Sequence, residues 1–165
     1  MTQQSLFSSA VGYCMDSSCI IAMWSKDYGW YSFDVFPSLK ANIEKMIQDG
    51  EAAVPKEVLT ELSRKDDGAH EWAKKCKLEH PIDANQTRIV SEIMRDFPKL
   101  VDTKKMGEQA DPFVIALAES KKWTVVTSEK NSAKLRKPNI PDVCQARKVK
   151  CISVMDFFRE KRWKF

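Results

Sequence analysis

Short apolar runs alternate along this chain with longer segments whose apolar positions recur every three to four residues. That alternation constrains the fold more than any other feature of the sequence. The runs at 12–15 (GYCM), 52–54 (AAV), 123–127 (WTVVT) and 149–153 (VKCIS) read as strands. After the first, Ser17 and Ser18 offer N-caps for a helix carrying Ile20, Ile21 and Trp24. Pro37 opens a helix with Leu39, Ile43, Met46 and Ile47 on one face, and Gly50 ends it. Pro55 fits the first position of a helix striped by Val58, Leu59 and Leu62. Further helices are predicted over 69–78, anchored by Trp72, and over 87–97, with Ile89, Ile93 and Met94 inward. Asp111-Pro112 starts a helix whose body, FVIALA, is apolar nearly all round and therefore buried. A last amphipathic helix covers 154–162, and the segments 26–34 and 130–148 read as loop, the second with a short helix. Strands separated by helices pair in parallel and take helices on both faces, so the expected class is α/β.

The chain has 165 residues, 43% hydrophobic and 30% charged, which suits one domain with a real core over 11–165. Residues 1–10 form a polar leader without the basic start of a signal peptide. No stretch approaches 18 apolar residues, so no membrane helix is expected. The five Cys contain no C-x-x-C pair, which excludes zinc ribbons and thioredoxin-type sites and points to reduced thiols in a cytoplasmic protein. Net charge is 27 − 23 = +4, unevenly spread. Residues 1–120 carry 14 basic and 19 acidic side chains, a net of −5, whereas 121–165 carry 13 and 4, a net of +9. A basic end on an acidic body suggests a polyanionic partner, although lysine-rich segments also serve solubility alone.

In an open parallel sheet, sites form beyond the carboxyl ends of the strands. Asp16 follows the first run directly, and Glu129 follows 123–127 after Ser128. Asp111 opens the helix leading into that strand, and Glu61 sits in the helix after 52–54. Singly, each has an ordinary explanation: Asp111 as a helix cap, Glu61 as a solvated helix residue, Asp16 and Glu129 as turn or loop acids. As a set, they stand where the topology allows them to converge.

Four blocks carry a family resemblance: MDSSCII (15–21), VPKEVLTEL (54–62), ADPFVIALA (110–118) and VVTSEK (125–130). In order and spacing they resemble the motifs of PIN-domain nucleases, and NIPDVC (139–144) is similar to a bacterial branch of virulence-associated toxin–antitoxin type. The resemblance implies a three-layer α/β/α sandwich and a metal site made by Asp16, Glu61, Asp111 and Glu129. Ser17, Ser18, Thr127 and Ser128 would support it. It also implies RNA as substrate, a small antitoxin as partner and a homodimer. Two positions depart from the family: Ser17 and Ser18 stand where Thr or Asn is usual, and Glu129 where Asp is common.

The chemistry agrees with that expectation. Phosphodiester hydrolysis needs a nucleophile and relief of phosphate charge, and hard divalent cations supply both. An acid cluster without a His or Cys ligand set points to Mg²⁺ or Mn²⁺ rather than zinc. Phosphates approach such a cluster only with cationic help, for which Lys130, Lys134, Arg136, Lys137, Arg147, Lys148 and Lys150 are candidates. Trp24, Trp30 and Tyr31 are candidates for base stacking, or else core and loop anchors. His70 and His80 are expected at the surface, and no glycine-rich phosphate loop is present. Two other classes compete: a PIN-like module that binds RNA or a partner without cutting, and a haloacid-dehalogenase-like phosphohydrolase. The latter needs a second acid two residues after Asp16, where this chain has Ser18. A non-enzymatic receiver would need an acid ending a middle strand, and none is visible.

Overall fold

Three short strands, β1 (Tyr13–Met15), β2 (Thr124–Val126) and β3 (Cys151–Ile152), pair in parallel in the order β1-β2-β3. The register sets Cys14 beside Val125 and Val125 beside Cys151. This is a computed structural model, and it describes residues 12–26, 31–101, 109–132 and 137–165. The eight α-helices among them are α1 (Ser17–Trp24), α2 (Pro37–Gln48), α3 (Lys56–Lys65), α4 (Asp67–Lys75), α5 (Ala84–Asp96), α6 (Asp111–Lys121), α7 (Ile140–Arg147) and α8 (Val154–Lys161). Helix α6 packs on β1, β2 and α5, and α7 packs on α6 and β3. The Tyr13 ring packs at 4.8 Å against Phe157 of α8 with the rings tilted by 58°, and α1 lies against α3 and α4. The whole is a mixed α/β fold with a parallel sheet, compatible with an α/β/α sandwich.

The expected strand at 52–54 is not a strand. Ala52 bridges Tyr13 and Val54 bridges Glu79, one bridge each. The segment divides its backbone bonds: Ala53 donates to Tyr13, while Val54 donates to Leu78 and accepts from His80. Pro55 then removes the N–H that a longer ladder needs. The same pairing sets Glu79 beside Val54, and α4 ends at Lys75, short of the helix expected to 78.

Helix starts follow the sequence with small shifts: α4 begins at Asp67 rather than 69 and α5 at Ala84 rather than 87, where Asp66 and Asp83 supply the side-chain caps. Asp16, not Ser17 or Ser18, caps α1 by accepting from the Cys19 N–H at 2.9 Å. Pro55 is the N-cap of α3 rather than its first residue. Helix α6 is buried as its composition predicts, with Val114, Ile115 and Leu117 fully enclosed. Burial of each such side chain contributes about 1.5–3 kcal/mol. Four helices end beside a left-handed residue other than glycine: Lys77, Lys122, Lys148 and Arg162 take φ of 59°, 58°, 60° and 57°. Lys122 and Lys148 turn the chain at once into β2 and towards β3, with Trp123 N–H bonding Ala118 C=O and Val149 N–H bonding Cys144 C=O, each at 2.8 Å. Gly12 serves close approach instead, since a Cβ there would lie 2.1 Å from the Trp123 ring.

Arg147 ties three helices together. Its guanidinium grips Glu119 of α6 through two bonds of 2.8 and 2.7 Å and lies 3.8 Å from Glu92 of α5. At 17% side-chain exposure it is committed to the fold, so it leaves the set of expected RNA-binding cations. Arg147→Met is expected to lower unfolding free energy by about 2 kcal/mol, because it strands Glu119 partly buried without its partner. Urea titration measures this, and an unchanged midpoint would contradict it.

Candidate active site

Asp16 leaves β1 in extended backbone and is 5% exposed. Three donors fix its carboxylate. Oδ1 accepts from the Cys19 N–H and, at 2.7 Å, from the Ser18 hydroxyl, and Oδ2 accepts from the Thr127 hydroxyl. Asp16, expected as a site acid or a turn residue, thus also caps α1. Thr127 stands just past β2, its N–H still donating to Ile152 C=O at 3.1 Å. Its hydroxyl accepts from the Glu129 N–H at 3.0 Å, so one side chain joins the two strand ends. Ser18 and Ser128 meet hydroxyl to hydroxyl at 2.9 Å across the same gap.

Glu61 is buried on α3, and Ser17 donates to its Oε1 at 2.8 Å. Asp111 is the first residue of α6; the cap position is Ala110. The expectation of Asp111 as a plain cap is thus not met, and what its carboxylate offers the start of α6 is charge against the helix dipole. Glu129 is steered by α7, whose first N–H, from Ile140, donates to Oε2 at 2.9 Å. Asp16, Ser17, Ser18, Glu61, Asp111 and Glu129 line one pocket of about 120 Å³, together with Lys65. Every acid expected at the site reaches it, and Thr127 and Ser128 brace it from the strand end.

Three side chains around the pocket escaped the sequence reading. Lys65 lies one helical turn after Glu61 on α3, a spacing that was legible. Asn139 and Asp142 form a capping box at the start of α7, also legible as N-x-x-D. Their second task was not. Asp142 Oδ2 accepts from Ser132 N–H at 3.0 Å and Ser132 hydroxyl at 2.8 Å, while Asn139 donates its amide to Lys130 C=O at 2.8 Å. The loop carrying Glu129 is thereby clamped to the helix that orients it.

Among the described residues, no group of three or more His, Cys, Asp or Glu side chains is arranged to hold a metal ion. The donor set is nonetheless all oxygen and suits a hard cation. Mg²⁺ needs only one or two direct carboxylates and keeps its waters. The pocket has room for several waters, whose share of liquid volume is about 30 Å³ each. The neighbouring thiols do not compete as ligands. Burial pushes those of Cys14 and Cys19 well up, and the charge of Asp16 adds to it. All five cysteines are free.

The cations divide. Lys130, Lys137 and Lys148 are exposed. Lys150 pairs with Glu160, and Lys134, Arg136 and Trp30 lie outside the described residues, as does the 1–10 leader. Trp24 is half-buried, and Tyr31 packs edge-on to Phe158 at 5.6 Å. His70 and His80 are half-buried rather than fully exposed. No helix among the described residues is long and apolar enough to cross a membrane.

No curated protein and no solved structure gives a significant match to the chain. One family model does match, over residues 13–165, and the chain belongs to that family, which is described as a domain of unknown function (DUF4411).

Proposed function

We propose that the protein is a Mg²⁺- or Mn²⁺-dependent endoribonuclease of PIN type, acting in the cytoplasm as the toxin of a toxin–antitoxin pair. The observation that carries this reading is the shared pocket of Asp16, Glu61, Asp111 and Glu129 at the carboxyl edge of the sheet. These four residues would hold the cation, which when bound lowers the pKa of a water and neutralises charge on the phosphate. Ser17, Ser18 and Thr127 keep the Glu61 and Asp16 carboxylates in place before substrate arrives. Lys65 at the pocket, with exposed Lys130 and Lys137 beyond it, supplies the positive charge that lets a phosphate approach. The antitoxin and a homodimer rest on the family resemblance alone.

Purified protein incubated with a complex transcript pool and Mn²⁺ tests the reading, with new RNA ends mapped and EDTA as control. Absence of cleavage sinks it. The lack of a ready-made metal group among the described residues favours a second reading, a module that binds RNA or a partner without cutting. Binding without cleavage in the same samples would select it.

The basic end should contribute to affinity. Replacing Lys134, Arg136 and Lys137 together by Ala is expected to weaken RNA binding and to reduce its log–log salt slope by about 2, at about 0.7 per lost phosphate contact. Fluorescence anisotropy across a salt series measures this. An unchanged slope would leave the segment as solubilising surface.

A further inference from the structure

Two wide recesses lie away from the acids. A trough of about 640 Å³, lined in part by Trp24, Gly68, Trp72, Lys40 and Lys75, runs on into a second of about 650 Å³ that shares Lys40, Trp72 and Lys75. Trp24 stands at the last position of α1, tilted by 35° against Trp72 at 5.9 Å, with the Lys40 ammonium over its ring at 5.8 Å. Gly68 lets the backbone of α4 press close, since a Cβ there would come within 3.0 Å of the Trp24 indole nitrogen. The troughs bring together four lysines and two glutamates. Lys74 is occupied by Glu71 at 3.6 Å and Lys45 by Asp49 at 2.8 Å. Lys40 and Lys75 make no ion pair among the described residues, and with Glu44 of the same trough set against them the surplus is one positive charge.

The same elements build both the acid pocket and the trough. Helix α1 presents Ser17 and Ser18 to the pocket and, six residues after Ser18, Trp24 to the trough, a separation of roughly 9 Å along its axis. The α3–α4 corner presents Lys65 to the pocket and Gly68 to the trough. A chain leaving the acids past Lys65 therefore meets an aromatic face bordered by Lys40 and Lys75. Aromatic faces interleaved with cations are the means by which single strands are held without regard to sequence.

We propose that this trough is a subsite for the nucleotides flanking the cleaved bond, where a base stacks on Trp24 while Lys40 and Lys75 take its phosphates. The proposal rests on the endoribonuclease reading and extends it to where the strand lies. An acidic protein segment would use the lysines but has no need of an aromatic ring on the same helix as Ser17 and Ser18 of the acid pocket, so single-stranded RNA is the better occupant.

The test compares wild type, Lys40→Ala/Lys75→Ala, Trp24→Ala and Trp24→Phe. It measures anisotropy with a labelled single-stranded oligoribonucleotide in Ca²⁺ and steady-state cleavage in Mn²⁺. The lysine pair, being at the surface, should fold normally, weaken RNA binding at least tenfold and lower the salt slope by about 1.4, with a matching rise in KM. Trp24→Ala should weaken binding to a similar degree, and Trp24→Phe should restore most of it. Should the lysine variant bind RNA with wild-type affinity and slope while wild type cuts, the trough is not a subsite although the nuclease reading stands. Should that variant keep RNA binding but lose a protein that copurifies with wild type, the trough is a protein interface and the proposal is wrong. Should wild type neither cut nor bind RNA, the nuclease reading falls and takes the subsite with it.

Discussion

Replacing Asp16 or Asp111 by Asn is expected to lower Mn²⁺-dependent RNA cleavage at least about a thousandfold, roughly 4 kcal/mol of transition-state stabilisation. The fold should survive both changes. Asn is as good an N-cap as Asp, so Asp16→Asn keeps an acceptor for the Cys19 N–H that starts α1. Asp111 is not the cap of α6, and losing its charge at the start of that helix costs about 0.3–1 kcal/mol of dipole interaction. What each substitution removes is one negative oxygen from a pocket of four acids. Single-turnover rates beside circular-dichroism melts separate chemistry from folding. Cleavage by Asp111→Asn within threefold of wild type would rule out the pocket as the reaction centre.

The second large effect is expected in thermal melts. Four carboxyl groups lining about 120 Å³ repel one another, and among the described residues that line the pocket only Lys65 is cationic. A divalent cation that binds only the folded chain adds about 2.7 kcal/mol at a hundredfold excess over its dissociation constant. For a chain of 165 residues that corresponds to a rise in Tm of about 5–11 °C. In EDTA, Asp111→Asn should melt above wild type, because one repelling charge is gone, and Mn²⁺ should then add little. Glu129→Gln should follow with smaller changes, its longer arm being able to carry charge away from the other acids. If Asp111 merely met the helix dipole, the Asn variant would melt at or below wild type in EDTA. That result, with no Mn²⁺ shift in wild type, would show that the four acids do not act as one site.

Much of the candidate site is legible in the sequence because it depends on short-range spacing. An acid directly after GYCM must stand at the carboxyl end of β1, and an acid two residues after Thr127 must leave the end of β2. The apolar body of FVIALA announces burial, and α6 packs on the sheet with Asp111 as its first residue. The hydroxyl partners were visible as small residues beside the acids, although which serine serves which carboxylate was not.

Other features depend on contacts that spacing does not encode. The 52–54 run has strand composition, yet it bridges Tyr13 on one side and Glu79 on the other, so neither ladder extends. Arg147 looks in sequence like one more cation of the basic end, and only the packing of α5, α6 and α7 commits it to Glu119 and Glu92. Lys122 and Lys148 are helix stops that carry none of the usual glycine signal, because the demand for a left-handed turn comes from where β2 and β3 must begin.

The chain's own pattern determined the α/β class, the parallel pairing and the set of acids at the strand ends. Each follows from alternation and chirality within a few residues of the backbone. Tertiary structure alone decided that the Ile140 N–H holds Glu129, that Ser17 serves Glu61 across 44 positions, and that Lys65 shares the pocket while Arg147 does not. Those outcomes depend on how helices settle on the sheet, and close packing sets that through the shapes of side chains far apart in the sequence.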